Sequence, residues 1–156
     1  MCGNIEPLAP SLWFQRIAVI AAGELNSIEN SLRHASHLIQ LAPIAFRKVL
    51  PSFDNDDAFE ALLESEDLES AARQLVGPGV TLLIEASCHD KPTRAVIACP
   101  DLRRTVDGTG DTVASAVLAA WANWLTALRA QLGAELEEPA LPAGAWRTPR
   151  SRSVCP

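Results

Sequence analysis

Residues 80–132 read VTLLIEASCHDKPTRAVIACPDLRRTVDGTGDTVASAVLAAWANWLTALRAQL, and the change of period inside this stretch decides the fold class. Val80, Thr81, Leu82, Leu83 and Ile84 form an apolar, β-branched run of strand length, and residues 93–99 form a second around Thr93, Val96 and Ile97. The polar residues between them, Ser87 to Pro92, predict a hairpin loop. A third short strand is expected at residues 102–106, where Arg103 and Arg104 suit an exposed edge because charge discourages stray pairing. Asp107, Gly108, Thr109, Gly110, Asp111 and Thr112 read as a turn and a helix start. Residues 113–132 then read as an Ala- and Trp-rich helix ended by Gly133, with Val113, Val117, Ala120, Trp124 and Leu128 on one face and Trp121 and Leu125 beside it.

Working outward toward the N-terminus, Phe14, Ala18, Ala21, Leu25, Ile28, Leu32, Ala35, Ile39 and Ala42 alternate spacings of four and three. That is the seam of one long helix over about residues 12–42, capped by Ser11 and packed on another helix. Gly23 weakens such a helix by about 1 kcal/mol relative to Ala without having to break it. Pro43 and Pro51 forbid helix continuation, so a bend is expected near residue 43. An acidic helical hairpin follows, with Asp54 or Asp56 as first cap, Ser65 as second, and the run Gly77, Pro78, Gly79 as its end. The expected fold is therefore α+β: a long N-terminal helix and a helical hairpin packed with a small antiparallel sheet of two or three strands and a C-terminal helix. Residues 1–10 form a lead, 11–133 a single domain, and 134–156 a flexible tail rich in Pro and Arg.

Charge narrows the partner classes. The 156 residues carry −6, but Arg147, Arg150 and Arg152 stand in a stretch from residue 139 onward without an acid, so the preceding 138 residues carry −9. Such a body repels phosphate backbones, and nucleic acid is not an expected partner of it. Cys2, Cys88, Cys99 and Cys155 contain no CxxC pair, which predicts reduced thiols rather than a disulfide framework or zinc ribbon. The longest apolar run near the N-terminus, Ile17 to Ala22, is short and followed by Glu24, so a cytoplasmic protein without a membrane span is expected.

Three groups of residues can carry chemistry or recognition. His34 and His37, three apart on a helix, could seat a metal ion, and with Cys88 and His89 of the hairpin loop they would supply four ligands if the fold brought them together. Consecutive Cys88, His89 and Asp90 name a nucleophile, base and orienter, although such partners meet in space rather than along the chain. Residues 54–69 hold eight acids and no base; of these, Asp54, Asp56, Asp57, Glu60, Glu64, Asp67 and Glu69 are the expected contact surface for a basic protein. Asp54 to Asp57 do not complete a calcium loop, because Phe59 stands where the turn needs Gly. Gly108, Thr109, Gly110 lack the Gly-Lys-Ser/Thr ending of a phosphate loop.

Pro100, Asp101, Leu102, then Gly110, Asp111, Thr112, then the helix with Ala116 and Ala120, give residues 80–132 a resemblance to the hairpin-then-helix modules of HicB-like antitoxins and of small phage proteins with an α-β-β-α sandwich. The spacing from Pro100 to Gly110 is a residue long for that pattern, Arg103 and Arg104 replace its tight turn, and no DNA-binding segment follows. The resemblance implies a partner-binding protein, of phage or mobile-element origin, in which Asp111 and Thr112 start the helix. The expected function is a non-catalytic regulatory or inhibitory module without a cofactor, docking a basic protein on its acidic surface and self-associating through Leu25, Ile28 and Leu32 of the 12–42 helix. The rivals are a small metal-binding protein or enzyme using His34, His37, Cys88 and His89, and a structural component of a larger assembly.

Overall fold

In the computed structural model, which describes residues 5–53, 56–86, 88–100 and 102–136, the last helix is the centre of the packing and touches three of the other helices and two of the strands. The order is α1 (Pro10–Ala21), α2 (Ile28–Gln40), a single 3₁₀ turn (Ile44–Phe46), α3 (Asp56–Glu64), α4 (Leu68–Gln74), β1 (Thr81–Glu85), β2 (Thr93–Ala98), β3 (Val106–Gly110) and α5 (Val113–Leu136). The fold is α+β, with one antiparallel sheet in the order β1-β2-β3. Helix α5 lies across β2 and β3 on one face and meets α1 and α4 on its other side, while α2 packs on α1 and α4. It is thus apolar nearly all round: Ala116, Val117, Ala120, Trp121, Trp124 and Leu125 are wholly buried, as are Ala114, Leu118, Ala122 and Leu128 to within a few per cent.

The expected long helix is two helices. Gly23 takes φ +68° and closes α1: its N–H donates to the Ile20 carbonyl at 3.1 Å and that of Glu24 to Val19 at 3.4 Å, the paired bonds of a Schellman end. Ser27 then starts α2, its Oγ accepting from the Asn30 N–H at 3.1 Å. The break changes the buried face of the first half. Trp13, Phe14, Ile17 and Ile20 point inward, whereas Ala18 and Ala21 are exposed; the expected register keeps Phe14 in the first half and holds along α2, from half-buried Ile28 through Leu32, Ala35 and Ile39 to Ala42. Ala9, not Ser11, is the N-cap of α1, with Pro10 in the first turn, where its missing N–H costs nothing. Residue 43 does mark a bend, as Pro43 leads into the 3₁₀ turn.

The hairpin strands fall where the sequence places them, but the third strand does not. Arg103 and Arg104 lie in an exposed bend, and the strand is Val106–Gly110, the segment read as a turn. The reason is the helix above it. A Cβ on Gly108 would stand 2.1 Å from the backbone nitrogen of Ala120, and one on Gly110 2.2 Å from Ser115 Oγ. The two glycines let the backbone of β3 lie directly against α5, beside Ala116, Ala119 and Ala120. Thr112 caps α5, its Oγ1 accepting from the Ser115 N–H at 3.1 Å while Ser115 Oγ accepts from the Thr112 N–H at 3.0 Å. Gly133 does not end this helix, which continues to Leu136. The rest of the expected tail, residues 137–156, lies outside the described residues, as do Asp54, Cys2 and Cys155.

Candidate functional site

The acidic surface is built on α3 and α4, and several of its carboxylates are already engaged. Both oxygens of Glu60 accept from Arg33 at 3.0 to 3.1 Å, and the same guanidinium reaches Glu29 one turn away at 3.0 Å. The two carboxylates hold the Arg33 pKa above its ordinary value. Asp56 accepts from the Gln40 amide, and Glu69 pairs with Arg73 at 2.7 Å. Asp67, not Ser65, caps α4 through the Ser70 N–H at 3.1 Å; the Ser70 hydroxyl first, and this N–H second, hold its carboxyl below the usual aspartate value. The bases missing from residues 54–69 are therefore supplied from Arg33 on α2 and Arg73 on α4. Asp57 and Glu64 of the expected set are exposed on α3.

The residues expected to mediate self-association face the interior of their own chain. Leu32 is completely buried, and Leu25 and Ile28 are half-buried against the same core. Leu32 is thereby removed from any surface a second copy could reach.

His34 is half-buried on α2 and His37 exposed on the same helix, while Cys88 and His89 sit in the exposed loop between β1 and β2. Burial pushes the His34 pKa down, with the charges of Arg16 and His37 acting in the same direction. No three His, Cys, Asp or Glu side chains converge on a metal-sized site among the described residues, so the four-ligand set of His34, His37, Cys88 and His89 is not assembled. Cys88 Sγ lies 3.2 Å from Nδ1 of His89, an adjacent-residue contact in a tight loop where His89 and Asp90 take φ +44° and +64°. All three side chains are in solvent, without the walls that would position a substrate.

The surface that sequence reasoning missed is the side of the sheet turned away from α5. Alternation along the strands puts Leu82, Ile84, Thr93, Ala95, Ile97 and Gly108 toward the helix, and Thr81, Leu83, Glu85, Arg94, Val96, Ala98, Asp107 and Thr109 outward. Leu83 is 58% exposed, opposite the half-buried Val96. At one end Arg94 bridges all three strands, its guanidinium 3.2 Å from Glu85 and 2.9 Å from Asp107. β1 is an edge strand, and among the described residues no segment pairs with its free side. The signal for this surface was present: Thr81 to Glu85 contain three large apolar residues in a row, more than a strand with one buried face can hide.

No helix among the described residues is long and apolar enough to cross a membrane. No protein-family model, curated protein or solved structure matches the chain.

Proposed function

We propose that the chain is a non-catalytic, protein-binding module of regulatory or inhibitory type that takes its partner along the outer face and free edge of its sheet. The observation that carries this is Leu83, 58% exposed on an edge strand with no Lys, Arg or Pro to discourage pairing. The resemblance of residues 80–132 to partner-binding HicB-like and phage modules points the same way. The acidic surface has a lesser part: Glu60, Asp67 and Glu69 are held by neighbours, so this surface attracts a basic partner at a distance while the sheet makes the contact.

Two folded variants test the reading in capture from the native host with identification of the retained proteins. L83R combined with V96R should lose a partner that wild type retains, whereas E64Q combined with E66Q should keep it and bind it more slowly at low salt. Retention of every wild-type partner by the sheet variant would overturn the reading. Stoichiometric metal in protein purified without an affinity tag would instead favour the metal-binding alternative.

A further inference from the structure

We infer that the free edge of β1 is an isologous contact at which a second copy of the same chain pairs antiparallel, Leu83 against Leu83 on the two-fold axis, joining two three-stranded sheets into one of six. The inference rests on reading the sheet edge as a docking site and names its occupant.

The strand is its own complement. About an axis at Leu83, antiparallel pairing sets Leu82 opposite the partner's Ile84 and Thr81 opposite the partner's Glu85. Apolar residues then meet apolar ones and polar residues polar ones. This register also keeps the faces continuous. Leu82 and Ile84 are partly buried on the α5 side of each sheet, and Leu83 lies on the outer side of both. A slip by one residue would set inner against outer residues and is disfavoured for that reason. Helix α5 lies over β2 and β3, which leaves β1 as the uncovered margin of its sheet.

Charge is compatible with the pairing. Each Glu85 is bridged to Arg94 on its own sheet, and the two Glu85 residues would be about 14 Å apart along the paired strands, beyond a Debye length at physiological salt. The paired edge is only five residues long, well short of a standard interface, so the dimer dissociates readily. A net charge of −6 on each copy weakens it further and makes added salt strengthen it, opposite to the response of an acidic surface docking a basic protein.

Cysteine trapping tests the register on the full chain. In a C2S/C88S/C155S background, L83C should form a disulfide-linked dimer rapidly under mild oxidation, since directly opposed residues lie roughly 4.5 to 5.5 Å apart, within disulfide reach. T81C alone and E85C alone should not, but a mixture of T81C and E85C chains should cross-link to each other. The weight-average mass of wild type by sedimentation should rise with protein concentration and with sodium chloride, and L83R should stay monomeric with an unchanged circular dichroism spectrum. Cross-linking of L83C no faster than T81C, or a wild-type mass independent of concentration, would overturn the inference. If the dimer is absent while L83R/V96R still loses an external partner, the docking reading survives without its self-pairing. If the dimer forms but L83R/V96R retains every partner, the self-pairing survives and the docking of other proteins at this site fails.

Discussion

The indole N–H of Trp13 donates to the main-chain carbonyl of Leu38 at 2.6 Å inside the core, tying the first helix to the last turn of the second. That carbonyl is available because the chain tightens before Pro43: the Ala42 N–H turns to Ile39 at 3.2 Å, one residue short of Leu38. The ring itself packs against Phe14 and Phe46 at centroid distances of 5.0 and 5.1 Å, so a single side chain joins α1, α2 and the 3₁₀ turn. Arg129 of α5 extends the cluster, its guanidinium 4.6 Å from the centre of the Phe14 ring.

Trp13 therefore differs from the other buried indoles. The Nε1 atoms of Trp121 and Trp124 are buried without a hydrogen-bond partner among the described residues. W13F should leave the Leu38 carbonyl unsatisfied and lose about 1 to 3 kcal/mol for that alone, in addition to the lost ring volume. W121F and W124F remove a buried donor that has no protein acceptor, which offsets part of their lost volume. Urea denaturation should rank W13F as the most destabilised of the three; equal midpoints would show that the indole bond contributes nothing.

The surroundings of two glycines, Gly108 where β3 lies against α5 and Gly133 on the open part of α5, make opposite forecasts. G108A places a methyl 2.1 Å from a helix backbone nitrogen, so strand and helix must separate, and a loss of roughly 3 kcal/mol or failure to fold is expected. G133A meets nothing within 4 Å in a position that is helical, and should gain a few tenths to about 1 kcal/mol through better helix propensity. Thermal unfolding of the two variants beside wild type checks both signs.

Much of the fold was legible because its signals are local. The hairpin strands, the stop at Pro43 and the start of α5 at Thr112 follow from β-branched runs, a missing N–H and a capping hydroxyl. The division of the first helix was also written locally, in the pairing of Gly23 with Ser27 four residues on. The unbroken seam outweighed it because Leu25 and Ile28 continue the helical spacing across the gap. β3 was not legible. Gly108 and Gly110 have poor strand propensity, and only the tertiary approach of α5 explains why they are there. The counter-ions of the acidic stretch were illegible for a similar reason, since Arg33 and Arg73 lie outside it. That the sheet has an open apolar face was legible in the run Leu82, Leu83, Ile84; which of its two sides stays open depends on where α5 comes to rest.

The acidic helices supply a graded prediction. Asp67 caps α4, so D67A should lower stability measurably through the lost bond to the Ser70 N–H. The Arg33–Glu60 pair is bidentate but a third exposed on both sides, so E60Q should change stability by less than about 1 kcal/mol. The same order, D67A below E60Q, should appear in denaturant midpoints. A larger loss in E60Q would mark the pair as a main clamp between α2 and α3.

His34 sets the response to mild acid. Its half-buried position on α2, with the charges of Arg16 and His37 near it, depresses its folded-state pKa below the ordinary value of 6.5. The unfolded chain then takes up this proton before the folded one does. Stability is unaffected by His34 well above the ordinary value and falls as pH drops through it, until the folded-state pKa is also passed. The carboxyl of Asp67 is depressed too, from 3.8, so its contribution is intact through this window and is lost only at lower pH. Urea midpoints measured between about pH 7.5 and about pH 5 should therefore decline in wild type and decline less in H34Q, with the two curves converging above the ordinary histidine value. Parallel curves throughout would mean that the native protein accepts a charged imidazole on α2 as readily as the unfolded chain does.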